Sequence, residues 1–271
     1  MNPAPESGEP PLLAVRDLSL TLATGRRATP LLTGVSFDLA AGEPLGIVGA
    51  SGAGKSLLAR ALLGLAPSGA RVTGSALLSG RQLIGAGRRT HQDLWGRRMA
   101  FVPQDALAVL NPVYTVGDQL AAAIRSVRGL GRREAQRVAV AALDRVGIAD
   151  ARRRARSYPH EFSGGMRQRA VIAMALVNEP RLVVADEPTT ALDPTVQRHV
   201  LTLLDTLREA TGAALLLISH DLPVVAERAS RMLVLDRGRV AEHGPTEEVL
   251  TTPRAATTRR LVAATRPRPR P

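Results

Sequence analysis

The sequence predicts an α/β fold: a mostly parallel sheet with crossover helices, preceded by a small antiparallel β region and interrupted by a helical insertion. Three observations carry this expectation. Short apolar runs that suit strands buried on both faces, such as Leu45-Gly46-Ile47-Val48 and Leu182-Val183-Val184-Ala185, precede polar or glycine-rich turns and then helical periodicity. Near the start, Leu12 to Leu22 and Val35 to Leu39 alternate apolar and polar residues as antiparallel strands do. Between Thr115 and about Ile148 the apolar positions Val116, Leu120 and Ile124, then Ala135, Val138, Ala142 and Val146, recur at helical steps.

The elements follow in order. A proline-rich leader, residues 1–11, is expected to be disordered, and Thr24-Gly25-Arg26-Arg27 reads as the loop between the first two strands. Pro44 opens the first buried strand, a glycine loop follows it, and Lys55 to Leu65 is helical. Arg98 to Val102 is a further strand, after which the insertion occupies about 105–165. The remainder alternates: helix Met166 to Val177, strand Leu182 to Ala185, helix Thr195 to Ala210, strand Ala214 to Ser219, helix Leu222 to Arg228. Met232 to Leu235 and Arg239 to Ala241 form a hairpin through Asp236-Arg237-Gly238. Residues 251–271 form a basic tail; from Arg254 it holds six arginines and ends in alternating Arg-Pro, and it reads as disordered.

Composition excludes several classes. Without cysteine there is no disulfide, thiolate metal site or cysteine nucleophile. The uncharged apolar runs, Ala170 to Val177 and Ala213 to Ile218 among them, fall short of the roughly 20 residues a spanning helix requires, and the leader lacks the order of a secretory signal. A chain that is soluble and cytoplasmic is expected. The net charge of +12 raises the question of nucleic acid, but the arginines are scattered and aromatic residues are only 2%, so no nucleic-acid partner is expected. Of the 36 basic residues all but Lys55 are arginine. A planar guanidinium cannot replace a compact ammonium at every site, so chemistry is sought first at Lys55.

Lys55 closes Gly49-Ala50-Ser51-Gly52-Ala53-Gly54-Lys55-Ser56, which matches G-x-x-x-x-G-K-[ST] between a strand and a helix, the context of a P-loop NTPase core. There, backbone N–H groups of Gly49, Ser51, Gly52, Ala53 and Gly54 can bend around a polyphosphate at the positive end of the helix. Lys55 reaches the β- and γ-phosphates and the Ser56 hydroxyl serves Mg²⁺. The strand at Leu182 ends in Asp186-Glu187: Asp186 would hold magnesium through its water shell and Glu187 would polarise the attacking water. Alone, such a pair is often a strand reaching the surface; beside a phosphate loop the functional reading prevails. Phe162-Ser163-Gly164-Gly165-Met166-Arg167-Gln168 supplies a second glycine-bearing helix start with an N-cap serine but no lysine. The economical reading is that Ser163, Gly164 and Gly165 serve a nucleotide held by a second subunit.

With these motifs in this order, the sequence resembles the nucleotide-binding subunit of ABC transporters over residues 12 to about 250. The resemblance implies an ABC nucleotide-binding domain that uses ATP and Mg²⁺. It further implies that Gln104 senses the γ-phosphate and magnesium and links to the permease. Asp193, in Ala191-Leu192-Asp193, would lie in the loop that crosses the dimer interface, and His220 would contact the γ-phosphate. Gln104-Asp105 leading to Leu110-Asn111-Pro112-Val113-Tyr114-Thr115-Val116-Gly117, and Tyr158-Pro159-His160-Glu161 before Phe162, resemble the oligopeptide/dipeptide/nickel importer group.

That resemblance implies a peripheral ATPase on the cytoplasmic face of the cell membrane. Its partners would be two transmembrane permease subunits, a second ATPase subunit, identical or not, and, indirectly, an extracellular solute-binding protein. Leu22 occupies the place where the family usually stacks an aromatic ring on adenine, with Arg26 or Arg27 as alternative neighbours of the base. Three other readings remain open: an exporter ATPase, a soluble ABC ATPase acting on nucleic acid or ribosomes, and a degenerate cassette that binds ATP without hydrolysing it. The intact Lys55, Asp186, Glu187 and His220 argue against the last.

Overall fold

The computed structural model describes residues 10–24, 27–190 and 192–265. In chain order the elements are β1 (Leu13–Thr24), β2 (Arg27–Leu39), β3 (Pro44–Val48), α1 (Lys55–Leu62), β4 (Ala70–Leu78), β5 (Arg81–Gln82), α2 (Arg88–Leu94), β6 (Met99–Val102), α3 (Val116–Arg128) and α4 (Arg132–Arg145). Then come α5 (Ala151–Arg154), α6 (Gly164–Leu176), β7 (Leu182–Asp186), α7 (Pro194–Thr211), β8 (Ala214–Ile218), α8 (Leu222–Arg228), β9 (Arg231–Asp236), β10 (Arg239–Pro245), α9 (Thr246–Thr251) and α10 (Ala256–Thr265). They divide into two compact units, one formed by residues up to Asp93 together with those from Ala214, the other by Leu94–Ala213.

The first unit holds two sheets. β1 pairs antiparallel with both β2 and β4, and β5 extends β4, giving the order β2-β1-β4-β5. Leu13 and Val15, then Leu18 and Leu20, are fully buried, but the alternation changes phase between the two pairs, where Asp17 takes φ 49° and the register with β2 and β4 shifts. In the second sheet β3 is flanked by β8 and β9, both parallel to it, and β10 closes the edge antiparallel to β9. Leu45, Ile47 and Val48 of β3 and all of β8 are buried, as strands covered on both faces must be. The β9–β10 turn has positive φ at both Arg237 and Gly238, the twist that a two-residue hairpin turn requires.

In the second unit β6 and β7 run parallel, with Val102 opposite Ala185. The insertion is helical as expected, but it is broken where Gly129 caps α3 in the left-handed conformation and Gly131 begins α4. Thr115 caps α3 by accepting from Asp118 N, and its hydroxyl donates to the Asp118 carboxylate at 2.7 Å. Val116, Leu120, Ile124, Ala135, Ala139 and Leu143 form the seam between α3 and α4.

Two differences from the sequence reading concern the chain after Leu65 and its end. β4 and β5 add an edge to the antiparallel sheet that the mixed composition of Ala70–Gln82 does not announce. The tail is not disordered from Arg254: Ala256–Thr265 is helix α10, which packs on α8, α9 and β10 and buries Thr258. Glu242 on β10 accepts from Arg254 N and Ala255 N at 2.8 and 2.9 Å, and so caps the approach to that helix. The expectations for residues 1–9, Gly25, Arg26 and the terminal Arg-Pro run lie outside the described residues. Among the described residues no helix is long and apolar enough to cross a membrane.

Helix α8 crosses β3 so closely that a Cβ on Gly46 would stand 2.0 Å from Val225 Cγ1. Replacing Gly46 with Ala therefore forces either element to shift, and overpacking of this kind costs about 1–3 kcal/mol. Urea unfolding is expected to show that loss, with much of it restored when Val225→Ala is added, because the two side chains compete for one volume.

Candidate functional site

The phosphate-type loop begins where β3 leaves the sheet and ends at the N-cap of α1, Gly54, whose φ is 104°. Ala53 N closes a turn onto Ala50 O at 3.1 Å. A Cβ on Gly49 would lie 2.4 Å from Leu235 O, so the loop runs against the end of β9 with no room for a side chain. Lys55 is the first residue of α1 and is buried, 6% exposed, with its Nζ donating to Gly49 O at 2.9 Å and Ala50 O at 3.2 Å. Ser56 is half-buried and Ser51 and Gly52 are exposed at the tip.

The hairpin turn between β9 and β10 supports this loop, a role that the sequence reading did not find. Gly238 N donates to Ala53 O at 2.9 Å, and Thr33 N donates to Gly238 O at 2.8 Å. Gly238 thus joins the loop to β2 and the antiparallel sheet. Its φ is 76°, and a Cβ there would come within 2.2 Å of Leu31 O. The signal available in the sequence was a hairpin glycine, which says nothing of what the turn touches.

His220 emerges on the same edge of the first unit's sheet. Ile218 lies opposite Ile47 in the parallel ladder, and Ser219 N donates to Ile47 O at 3.1 Å, so the residues after β8 leave beside those after β3. His220 is exposed, and Asp221 then caps α8 through Val224 N. The fold therefore brings Lys55, Ser56 and His220 to one edge.

In the second unit β6 and β7 end together. Gln104 follows β6 by two residues and is exposed, whereas Asp186 closes β7 with 5% exposure. Glu187 takes φ 46°, a conformation that costs a residue with a side chain about 1–3 kcal/mol and is concentrated at functional sites. Thr190 donates its hydroxyl to Glu187 Oε2 at 2.9 Å, which orients the carboxylate and was not foreseen.

Ser163 caps α6 by accepting from Met166 N at 3.3 Å, leaving Ser163 and Gly164 exposed at the helix start. A Cβ on Gly165 would stand 2.7 Å from Val196 Cγ1, so this glycine lets α7 approach. Arg167 donates from Nε to Pro159 O at 2.8 Å and fixes the turn leading into the cap. Gln168, 3% exposed, donates to Pro103 O, the residue before Gln104. Asp193 spends Oδ1 as the N-cap of α7, accepting from Thr195 N and Val196 N at 3.1 and 3.0 Å. Leu22 on β1 lies opposite Ala70 and Thr29, so neither cross-strand neighbour offers an aromatic ring.

A glycine loop after a buried parallel strand, closed by a buried lysine at a helix start, defines a nucleotide-binding α/β domain of the P-loop kind. The family model described as ABC transporter matches residues 32–190, and the chain belongs to that family. It is 44% identical over 242 residues to the oligopeptide transport ATP-binding protein OppD of Salmonella typhimurium, an alignment covering 89% of this chain and 72% of that protein. Identity to OppD of Mycobacterium tuberculosis is 48% over 233 residues; the chain spans only 38% of that longer protein. The dimeric post-hydrolysis structure of the ATP-binding cassette MJ0796 bound to ADP and Pi superposes with a TM-score of 0.76 at 26% identity, covering 86% of this chain and 98% of that one.

Gly238→Ala is expected to lower the melting temperature and to shrink the stabilisation that saturating ATP confers, because the strained turn can no longer hold Ala53 O. Thermal denaturation with and without ATP checks both; an unchanged ATP-induced shift would separate the hairpin from the loop.

Proposed function

We propose that this chain hydrolyses ATP to drive uptake of oligopeptides through a partner membrane permease, working as one of two ATPase subunits on the cytoplasmic face of the membrane. The observation that carries the reading is the buried Lys55 at the start of α1, on the sheet edge where His220 also emerges. The names of the relatives at 44–48% identity support the peptide cargo. The dimeric cassette with ADP and Pi supports pairing.

Lys55 would neutralise the β- and γ-phosphates while Gly49, Ser51, Gly52, Ala53 and Gly54 present backbone to them. Ser56 hydroxyl, Gln104 amide and Asp186 carboxylate are oxygen donors, the set that suits a hard divalent cation such as Mg²⁺. Magnesium, when bound, would add positive charge on the phosphate oxygens as charge develops. Glu187, held by Thr190, would accept a proton from the attacking water, and His220 would donate a hydrogen bond toward the γ-phosphate. Ser163, Gly164 and Gly165 would serve the nucleotide held by the second subunit, with Asp193 at that interface. The segment after Gln104 leaves Leu107, Val113 and Tyr114 51%, 69% and 58% exposed, an apolar surface suited to permease docking.

In the transporter assembled with its permease, Glu187→Gln is expected to cut ATP turnover by about 10²–10⁴-fold and abolish peptide uptake while ATP still binds. Measuring ATPase, uptake and nucleotide binding on one preparation tests this. Undiminished turnover would remove Glu187 from its role, and turnover lost without loss of peptide uptake would remove the import function.

A further inference from the structure

An arginine-bearing hollow lies within the helical insertion and is lined by none of the residues assigned above to nucleotide. α4 and α5 wall a cleft of about 790 Å³ lined by Arg137, Val140, Asp144, Asp150, Arg152 and Arg156 among others, and a neighbouring hollow of about 470 Å³ shares Arg137, Val140, Arg152 and Arg156 with it. Three guanidinium groups are therefore common to both hollows. All three arginines are exposed, and none has an ion pair or hydrogen bond from its side chain among the described residues.

Two of the three wall carboxylates are engaged by other residues of the same walls. Asp150 pairs with Arg153 at 3.0 Å, and Asp118 accepts from the Thr115 hydroxyl and from Gln136 Nε2, each at 2.7 Å. Asp144 alone among them has neither kind of contact among the described residues. Val140, Ala141 and Ala151 give the larger cleft an apolar wall. Arginine's planar fork matches phosphate oxygens two at a time, and three such forks around one concavity suit an anion bearing several phosphate oxygens. The volume falls in the range of small-ligand sites, roughly 300–1,000 Å³.

We propose that this cleft binds a ligand bearing multiple phosphate charges, either a free polyphosphorylated small molecule or the headgroup of an anionic lipid, through Arg137, Arg152 and Arg156. The site is separate from the phosphate loop at Lys55 and asks nothing of the hydrolytic residues.

The test uses the full chain carrying Lys55→Ala, so that the phosphate loop contributes little binding. Tripolyphosphate is titrated calorimetrically, and in a second arm the protein is floated with vesicles containing cardiolipin, whose headgroup bears two phosphates. Arg152→Ala/Arg156→Ala is compared with Arg132→Ala/Arg133→Ala, which removes the same charge from the start of α4 outside the cleft. Circular dichroism verifies that both variants fold. The expected result is a loss of at least tenfold in one of the two arms for the cleft variant, with the α4-start variant near the parent. Loss in the tripolyphosphate arm identifies a free ligand, and loss in the vesicle arm identifies a lipid headgroup. If neither probe binds, or both variants weaken binding equally, the cleft is an ordinary solvated basic surface and the proposal is overturned.

Discussion

Burying a lysine ammonium at the start of a helix places two like electrostatic features together, since the helix N-terminus carries positive potential of its own. Lys55 has 6% exposure and opens α1, and the carbonyls of Gly49 and Ala50 accept hydrogen bonds from its ammonium. A buried charge is costly unless compensated, and those two carbonyls can remain so close only if the loop curls back on itself. The neighbouring structure enforces that curl: β9 lies against Gly49, and the hairpin at Gly238 holds Ala53 O. An anion is the ligand such an arrangement favours, because it offsets the ammonium and the helix end at once.

The same logic of strand ends recurs in each unit. Parallel pairing of β3 with β8 sets the Lys55 loop and His220 at the ends of one strand pair, and within the other unit parallel pairing of β6 with β7 sets Gln104 beside Asp186 and Glu187 at the ends of theirs. Parallel strands all finish at the same side, so polar residues widely separated in sequence meet there without any long-range specification beyond the hydrophobic pattern. Glu187 adds a local device: a left-handed backbone conformation and a hydrogen bond from the Thr190 hydroxyl fix where the carboxylate sits.

Much of this could be read from residues alone. The buried strands announced themselves as unbroken apolar runs, the glycine loop fell between strand and helix, and helix α8 has the bounds that its periodicity gave, Leu222–Arg228. What could not be read depended on tertiary contact. Gly238 looked like a hairpin residue, and its donation to Ala53 O exists only once the β9–β10 turn meets the glycine loop. Gln168 closed the serine-glycine segment with no role of its own, yet it is buried and donates to Pro103 O. The tail looked disordered because its arginines dominate the composition; α10 forms there through Thr258, buried at 1% exposure, and Glu242, neither of which stands out in a charge count.

Lys55 is the group that would grip polyphosphate, and equilibrium ATP binding to a Lys55→Ala variant tests it directly. Removing a buried charged partner of a bound anion should weaken ATP binding by about two orders of magnitude. The ATP-free protein should keep its melting temperature or gain slightly, because the buried ammonium is gone. ATP affinity equal to that of the parent, or a collapse of the ATP-free fold, would contradict a lysine kept for phosphate.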